Sequence, residues 1–289
     1  MYIVFIGEIM SESNPLKAYF RQPAIFIKLP SNGKYWPKGS IDIPVTGDIG
    51  VMPMTAKDEI TMKTPDALMN GQAVVDVIQS CIPAIKDAWK CPTIDMEMIL
   101  AAIRIASYGE GLELSTLCPC EKKVSLDYKI DLRTIVDFLS NIKFDDSVTL
   151  DNGLRVNIKP LDYAQLSKAQ LKIWEQQKIF TAVNDEKLAD DQKLKIFNES
   201  FAKLTNMTIE NFVAMIDSIE TNDQIVNNKE YITEFIQNAG RDIYNQFETK
   251  MEEIKSATNL KPMKVKCTEP GCDKEFDLPI SLDQSNFFE

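Results

Sequence analysis

Apolar and polar positions alternate with a period of two in four short stretches of this chain, and the stretches come in two pairs. Leu112-Glu113-Leu114-Ser115-Thr116-Leu117 is followed by Val124-Ser125-Leu126-Asp127-Tyr128-Lys129-Ile130-Asp131-Leu132, and Met263-Lys264-Val265-Lys266 by Phe276-Asp277-Leu278-Pro279-Ile280. A period of two marks a half-buried strand, so each pair predicts a hairpin. Residues 19–62 also read as β-rich and turn-rich. Ala24 to Leu29 predicts a strand broken by Pro30-Ser31-Asn32-Gly33. Ile41, Ile43 and Val45 alternate with polar residues, and Ile49, Val51 and Met54 follow a Thr46-Gly47-Asp48 turn. Pro37, Pro44 and Pro53 cannot donate to a ladder, which makes these edge strands or a small open sheet.

Helical periodicity takes over next. Thr55-Ala56-Lys57-Asp58 has the form of a capping box with Asp in place of Glu, and Thr64-Pro65 reads as an N-cap followed by proline at the first helical position. Leu68, Val74, Val75 and Ile78 share one face of a helix that Pro83 ends or kinks. A second helix starts near Ile94, buries Met98, Ile99, Ala102, Ile103 and Ala106, and stops at Gly109. Leu132 to Leu139 predicts a short helix, and Val148–Leu150 with Leu154–Ile158 a hairpin around Asp151-Asn152-Gly153. From Leu161 to Thr258 glycine almost vanishes, apart from Gly240. The spacing there predicts helices over Asp162–Val183, Ala189–Leu204, Ile209–Ile219 and Lys229–Ser256. Their shared core would be Ile173, Phe180, Ile196, Phe197, Phe201, Phe212, Ile216, Ile232, Phe235, Ile236, Ile243, Tyr244 and Phe247.

These elements add up to an α+β chain: a small β-rich N-terminal region, an α-helical bundle, and a split pair of β-hairpins. Residues 1–18 read as an extension, within which Met10 is an alternative start. Residues 19–160 form a mixed β/α region with the first hairpin, 161–258 a helical bundle, and 259–289 the second hairpin.

The hairpins matter because of what sits at their turns. Cys118-Pro119-Cys120 lies at the first and Cys267 and Cys272 at the second. Two hairpins that each offer two thiols can close one four-thiolate zinc site on Cys118, Cys120, Cys267 and Cys272, tying mid-chain to C-terminus. Such a site is coordinatively full and would hold structure without polarising a substrate. The spacings C-x-C and C-x4-C differ from the C-x-x-C of most zinc ribbons, and two buried or transiently oxidised thiol pairs remain the other reading. Cys81 and Cys91, in an apolar helix and before Pro92, read as core residues.

Composition narrows function further. The 289 residues are 44% apolar and carry 43 acidic against 32 basic side chains, a net charge of −11. More than half of that excess falls in 161–260, a solvated helical face. Net acidity without a basic stripe argues against nucleic acid as a partner. The chain has no histidine, which removes His-based triads, bases and ligands. No phosphate-binding glycine loop or paired-acid motif replaces them, so no enzyme is expected. Met1 to Gly7 is apolar but lacks a basic leader, and no stretch approaches the roughly 18 apolar residues of a membrane span. A soluble protein of a reducing cytoplasm is expected. Tyr19, Phe20, Tyr35 and Trp36 are candidates for an interaction patch or for a local aromatic core, and Phe287-Phe288 for a partner anchor or for packing back on the hairpin.

One set of strings goes beyond chemistry. Thr64-Pro65-Asp66-Ala67-Leu68-Met69-Asn70-Gly71-Gln72-Ala73-Val74-Val75, Ser80-Cys81-Ile82-Pro83, Ile103-Arg104-Ile105-Ala106-Ser107-Tyr108-Gly109, Cys118-Pro119-Cys120 and Phe287-Phe288 occur in order, preceded by Phe20-Arg21-Gln22-Pro23-Ala24 and Lys28-Leu29-Pro30-Ser31. In these strings, over residues 17–135 and 262–288, the chain resembles the T4-type bacteriophage baseplate hub subunit family. The resemblance implies a tail assembly role without catalysis. Its members help to build the central hub, acting with, or as chaperones for, the tape-measure and other hub proteins. It implies a location in the host cytoplasm during assembly, or in the virion baseplate. A zinc-ribbon regulator or adaptor contacting transcription machinery or nucleic acid is the alternative that the cysteines alone would support.

Overall fold

Residues 16, 19–64, 70–120, 123–183, 190–269, 272, 274–278 and 280 are described by the computed structural model. One half of the molecule is organised by helix α3 (Thr93–Tyr108), which is buried on nearly every side: Ile94 to Met96 and Met98 to Ile105 are all inaccessible. A helix apolar all round needs partners all round. They are the ribbon of β1 (Ile25–Ile27) and β2 (Ile49–Val51), α2 (Gln72–Cys81), on which the short α1 (Ala56–Met62) packs, and α4 (Leu132–Ser140). β1 and β2 pair antiparallel with Ile25 opposite Val51. Val74, Ile78, Ile82, Ile99, Ile103 and Leu139 lie at the centre of this core.

Two polar pins fix the turn-rich N-terminal chain to it. The carboxylate of Asp95, fully buried on α3, accepts from Ser31 N (2.8 Å), Ser31 Oγ (2.5 Å) and Trp36 Nε1 (2.7 Å). Arg21 donates to Asp58 Oδ2 (3.2 Å), to both oxygens of Ser80 (2.7 Å each) and to Pro53 O (2.5 Å). Asp58 itself closes the capping box with Thr55 at the start of α1. Burial pushes its carboxyl up, yet the Thr55 and Ser80 hydrogen bonds and the Arg21 charge hold it below the ordinary range.

The second half is built on a four-stranded antiparallel sheet ordered β5 (Ser147–Thr149), β6 (Arg155–Ile158), β7 (Ile216–Glu220), β8 (Ile225–Val226). Val148, Val156, Ile219 and Val226 are successive cross-strand partners. α7 (Lys229–Asn238) and α8 (Arg241–Thr258) cover it with Ile232, Phe247 and Ile254. Between β6 and β7 the chain makes a helical pair, α5 (Tyr163–Val183) and α6 (Asp190–Met215), joined by Lys172 Nζ to Glu210 at 2.9 Å. Lys229 closes the end of α6 by donating to the carbonyls of Val213 and Ile216, and burial there pushes its pKa down.

The α+β class and both cysteine hairpins agree with the sequence reading, as do the Thr55 capping box, the α3 stripe and the turn at Gly153. Four expectations need correction. In place of the two helices expected over Ala189–Leu204 and Ile209–Ile219 there is one, Asp190–Met215, after which Ile216–Glu220 is a strand. Ile216 and Ile219 there face the core that β6 already offers, so 161–258 is not all helical. Lys229–Ser256 breaks at Ala239-Gly240 into two helices. Ile41, Ile43 and Val45 form no strand; Ile41 makes a single bridge to Ile85 and Val45 is fully exposed. Of the expected bundle core, Ile216, Ile232 and Phe247 are buried, but Ile173, Phe197 and Phe201 are exposed. The side chain of Phe180, Pro65, Leu68, Met10 and Phe287-Phe288 lie outside the described residues, as does the extension 1–18 except Leu16.

Candidate metal centre

Strands β3 (Gly111–Leu117) and β4 (Ser125–Asp131) pair in register from Gly111–Asp131 to Leu117–Ser125. One further hydrogen bond, from Cys118 N to Val124 O at 2.9 Å, extends the ladder into the turn and fixes Cys118. The turn tightens through Lys123 N to Cys120 O at 3.1 Å, with Lys123 in the left-handed region. The second hairpin repeats this design. β9 (Met263–Lys266) and β10 (Glu275–Leu278) pair antiparallel, Cys267 N donates to Lys274 O at 2.9 Å, and Cys272 N to Glu269 O at 3.0 Å. Each cysteine pair thus sits where a ladder has just ended and the backbone is still held.

Side chains bring the two turns together. Tyr128 on β4 reaches across to donate to Lys266 O at 3.0 Å and meets the Phe276 ring edge-on. Lys274 Nζ donates to Pro119 O at 3.1 Å. The sulfurs of Cys118, Cys267 and Cys272 then lie within 4.8 Å of one another, and those of Cys118 and Cys272 are 3.9 Å apart. The edge of a tetrahedron with zinc–sulfur bonds of 2.3 Å is about 3.8 Å. Cys120 packs against the same small cluster, with Leu126 and Val124, and interacts with Cys118 through both its thiol and its backbone N–H. All the cysteines are free thiols.

Without an ion, the setting favours neutral thiols. Burial, with the other three thiols around it, pushes the Cys118 thiol up to about 12, while the backbone N–H of Cys120 pulls the other way. Protonated thiols can share only weak S–H···S contacts, such as that of Cys118 with Cys272, whereas a divalent ion would deprotonate them and satisfy the sulfurs together. The donor set fits zinc: soft thiolates, a buried setting, and a backbone N–H directed at a ligand sulfur. The sequence identified these four residues; the structure brings Cys118, Cys267 and Cys272 into one ligand-sized group and sets Cys120 beside it.

The other candidate residues are accounted for by packing. Cys81 is buried against Arg21, and burial pushes its thiol up to about 11; Cys91 is buried and pushed up well beyond the ordinary value. Neither is a reactive thiolate. The aromatic set divides: Trp36 is buried on Asp95 and Tyr35 packs edge-on against Phe144, while Tyr19 and Phe20 are exposed. Sequence reasoning missed the buried carboxylates of α3, because single acids in an apolar stripe carry no local signal of burial. Among the described residues, no helix is long and apolar enough to cross a membrane.

No curated protein and no solved structure matched the chain. The family described as T4 bacteriophage base plate protein matches residues 23–289. That match begins just before β1 and runs through the α3 core, both cysteine hairpins and the helical pair between them: the chain belongs to the T4 bacteriophage base plate protein family.

Proposed function

We propose that the protein acts in forming the central hub of the baseplate, by binding other hub proteins or the tape-measure protein, as a subunit or as an assembly chaperone. Family membership supplies the coarser statement, a structural or assembly role in the baseplate. The observation that supports binding as its means is the inverted pairing of α5 and α6. Gln176 and Ser200 are buried in this pair, whereas Leu171, Ile173, Leu194 and Phe201 are exposed, Leu194 and Phe201 by 61% each. A pair that only had to stand in water would place those side chains the other way round. Clustered exposed apolar side chains rimmed by charge are the mark of a protein-binding face.

The role needs no catalysis. The chain has no histidine, and the buried acids Asp58 and Asp95 are held by structural hydrogen bonds. It needs no nucleic acid either, in keeping with the net charge of −11. The protein would work in the host cytoplasm during tail assembly and remain at, or leave from, the virion baseplate. Structural zinc on Cys118, Cys120, Cys267 and Cys272 would tie the chain's C-terminal hairpin to its mid-chain one.

The test is recovery of N-terminally tagged protein from phage-infected cells midway through tail assembly, followed by quantitative mass spectrometry. Hub or tape-measure proteins in a fixed ratio are expected, and they should be lost from a Leu194→Asp/Phe201→Asp variant. Recovery of polymerase subunits or nucleic acid instead would replace this reading with that of a zinc-ribbon adaptor.

A further inference from the structure

The two large cores leave an open cleft of about 920 Å³ between them. α3 contributes Met96 and Leu100 to its lining, α8 contributes Met251 and Ile254, and Met215 and Leu260 add to the apolar wall. That volume lies at the upper end of the range of ligand sites, about 300–1,000 Å³, and junctions between packed units are where such sites gather.

The lining is polar elsewhere, with Thr93, Gln170, Lys255, Thr258 and Asn259, and it holds one carboxylate. Glu97 comes from α3, its Oε2 is buried, and that oxygen has no hydrogen-bond partner among the described residues. Burial pushes its carboxyl up. The residue as a whole is half-buried, but an inaccessible carboxylate oxygen is ordinarily paired, as those of Asp58 and Asp95 are in this same protein, because an unpaired one is costly to desolvate. Lys255 also lines the cleft but is exposed and makes no ion pair with Glu97. The chain's terminal segments, residues 1–15 and 281–289, contain no lysine or arginine. They supply apolar side chains but no side-chain cation.

We infer that this cleft receives an apolar segment of another baseplate protein carrying one lysine or arginine among aliphatic side chains, and that Glu97 pairs with its cation. The aliphatic lining takes up the body of the segment and the carboxylate sets its register, as in helix-in-groove recognition. A charge-assisted bond at this point of the cleft also rejects segments with an acid or no charge there. The class of partner rests on the assembly role proposed above; the chemistry of the segment rests on the cleft alone.

The first experiment uses n-hexylammonium as a probe of a lysine side chain and follows methionine methyl resonances of the full-length protein. Met96, Met215 and Met251 line the cleft, and the buried Met98 and Met62, which do not, serve as controls. Saturable shifts confined to the first three are expected, with binding about tenfold or more weaker in Glu97→Gln and for uncharged n-hexanol. Equal binding of both probes, or no change in Glu97→Gln, would overturn the inference. Leu260→Trp, which fills the cleft from its wall, should abolish binding and guards against a Glu97 variant that fails to fold.

The second experiment places a photo-crosslinker at Met251 in the infected cell. A crosslinked peptide from another baseplate protein, with a lysine or arginine among aliphatic residues, is expected. Crosslinks only to residues 281–289 or 1–15 of the chain itself, or to a segment without a cation, would overturn it. Co-purification of hub proteins without that crosslink sinks the cleft and leaves the assembly role. Loss of every baseplate protein from the purification sinks both.

Discussion

Asp95→Asn tests how the α3 core holds the N-terminal turns. The carboxylate is fully buried and receives three donors, Ser31 N and Ser31 Oγ on separate oxygens and Trp36 Nε1 on the second. An amide of the same shape can accept on one side only. With its oxygen toward Ser31 Oγ and Trp36, its NH2 faces the Ser31 N–H, so one donor loses its acceptor and two donors are opposed. An unsatisfied buried group costs about 1–3 kcal/mol, and the opposed donors put this substitution at the upper end. A loss of about 3 kcal/mol is expected. With a urea slope of about 3 kcal/mol per molar this moves the unfolding midpoint by about 1 M, read from tryptophan fluorescence. The pH dependence adds a sign. Burial, outweighing the Ser31 and Trp36 bonds, raises this carboxyl's pKa in the folded chain. Between its unfolded and folded values the native state binds more protons, so this contribution to stability falls as pH rises and is gone above the folded pKa. The wild-type advantage over Asp95→Asn should therefore be largest at the acid end of that window. A variant within about 0.5 kcal/mol of wild type, a size ordinary for surface changes, or an advantage that grows with pH, would refute the account.

Three further substitutions probe two other polar side chains. Arg21→Met should cost about 2–3 kcal/mol in urea unfolding, since it strips Ser80 O and Pro53 O of their donor and Asp58 of its cation. Asp58, held below the ordinary range, contributes stability that is lost as pH falls through its folded pKa, and the variant should flatten that acid loss. Arg21→Lys should recover little, lacking the fork that reaches Ser80 and Asp58 together. Gln176→Leu should raise stability by about 1–2 kcal/mol, because the buried Oε1 has no partner among the described residues; a loss of stability would mean that this amide is satisfied in solution.

How much of this was legible beforehand depends on whether the signal was local. Both cysteine hairpins were readable because alternation, turn and ligand all lie within short windows, as was the capping box at Thr55. Cys118, Cys267 and Cys272 were readable as a group only because their residue type is rare and chemically specific. The strand at Ile216–Glu220 was not, since its partner β6 lies some sixty residues earlier, as the contact of Asn157 with Ser218 shows. Five residues of apolar-polar-polar-apolar-polar pattern fit a helix equally well until a sheet edge is present. Phe197 and Phe201 misled for a related reason. Helical spacing identifies which residues share a face, but whether that face is buried inside the chain depends on the neighbours available, and here Ser200 took the seam.

The thiol cluster and the α3 core hold the C-terminal hairpin together, and their division of labour predicts what metal removal does. Val265 on β9 and Leu278 on β10 are buried in the α3 core, with Met263 and Phe276 packed against it. Cys267 lies in a separate small cluster with Cys118 and Leu126. The strands are thus anchored by apolar burial and only the turn, from Cys267 to Lys274, depends on the sulfurs. Chelation, or Cys120→Ser, should release about one equivalent of zinc. It should open amide exchange at the Cys267 N–H and Cys272 N–H while Val265 and Leu278 stay protected, since an opening confined to one turn does not reach the global transition. Protease should then cut near Glu269 and leave the α3 core intact. Exchange that spreads through the whole of β9 and β10 would show that the sulfurs, and not Val265 and Leu278, carry the docking. Wild-type protein that is metal-free and fully protected at the turn would remove zinc from the account.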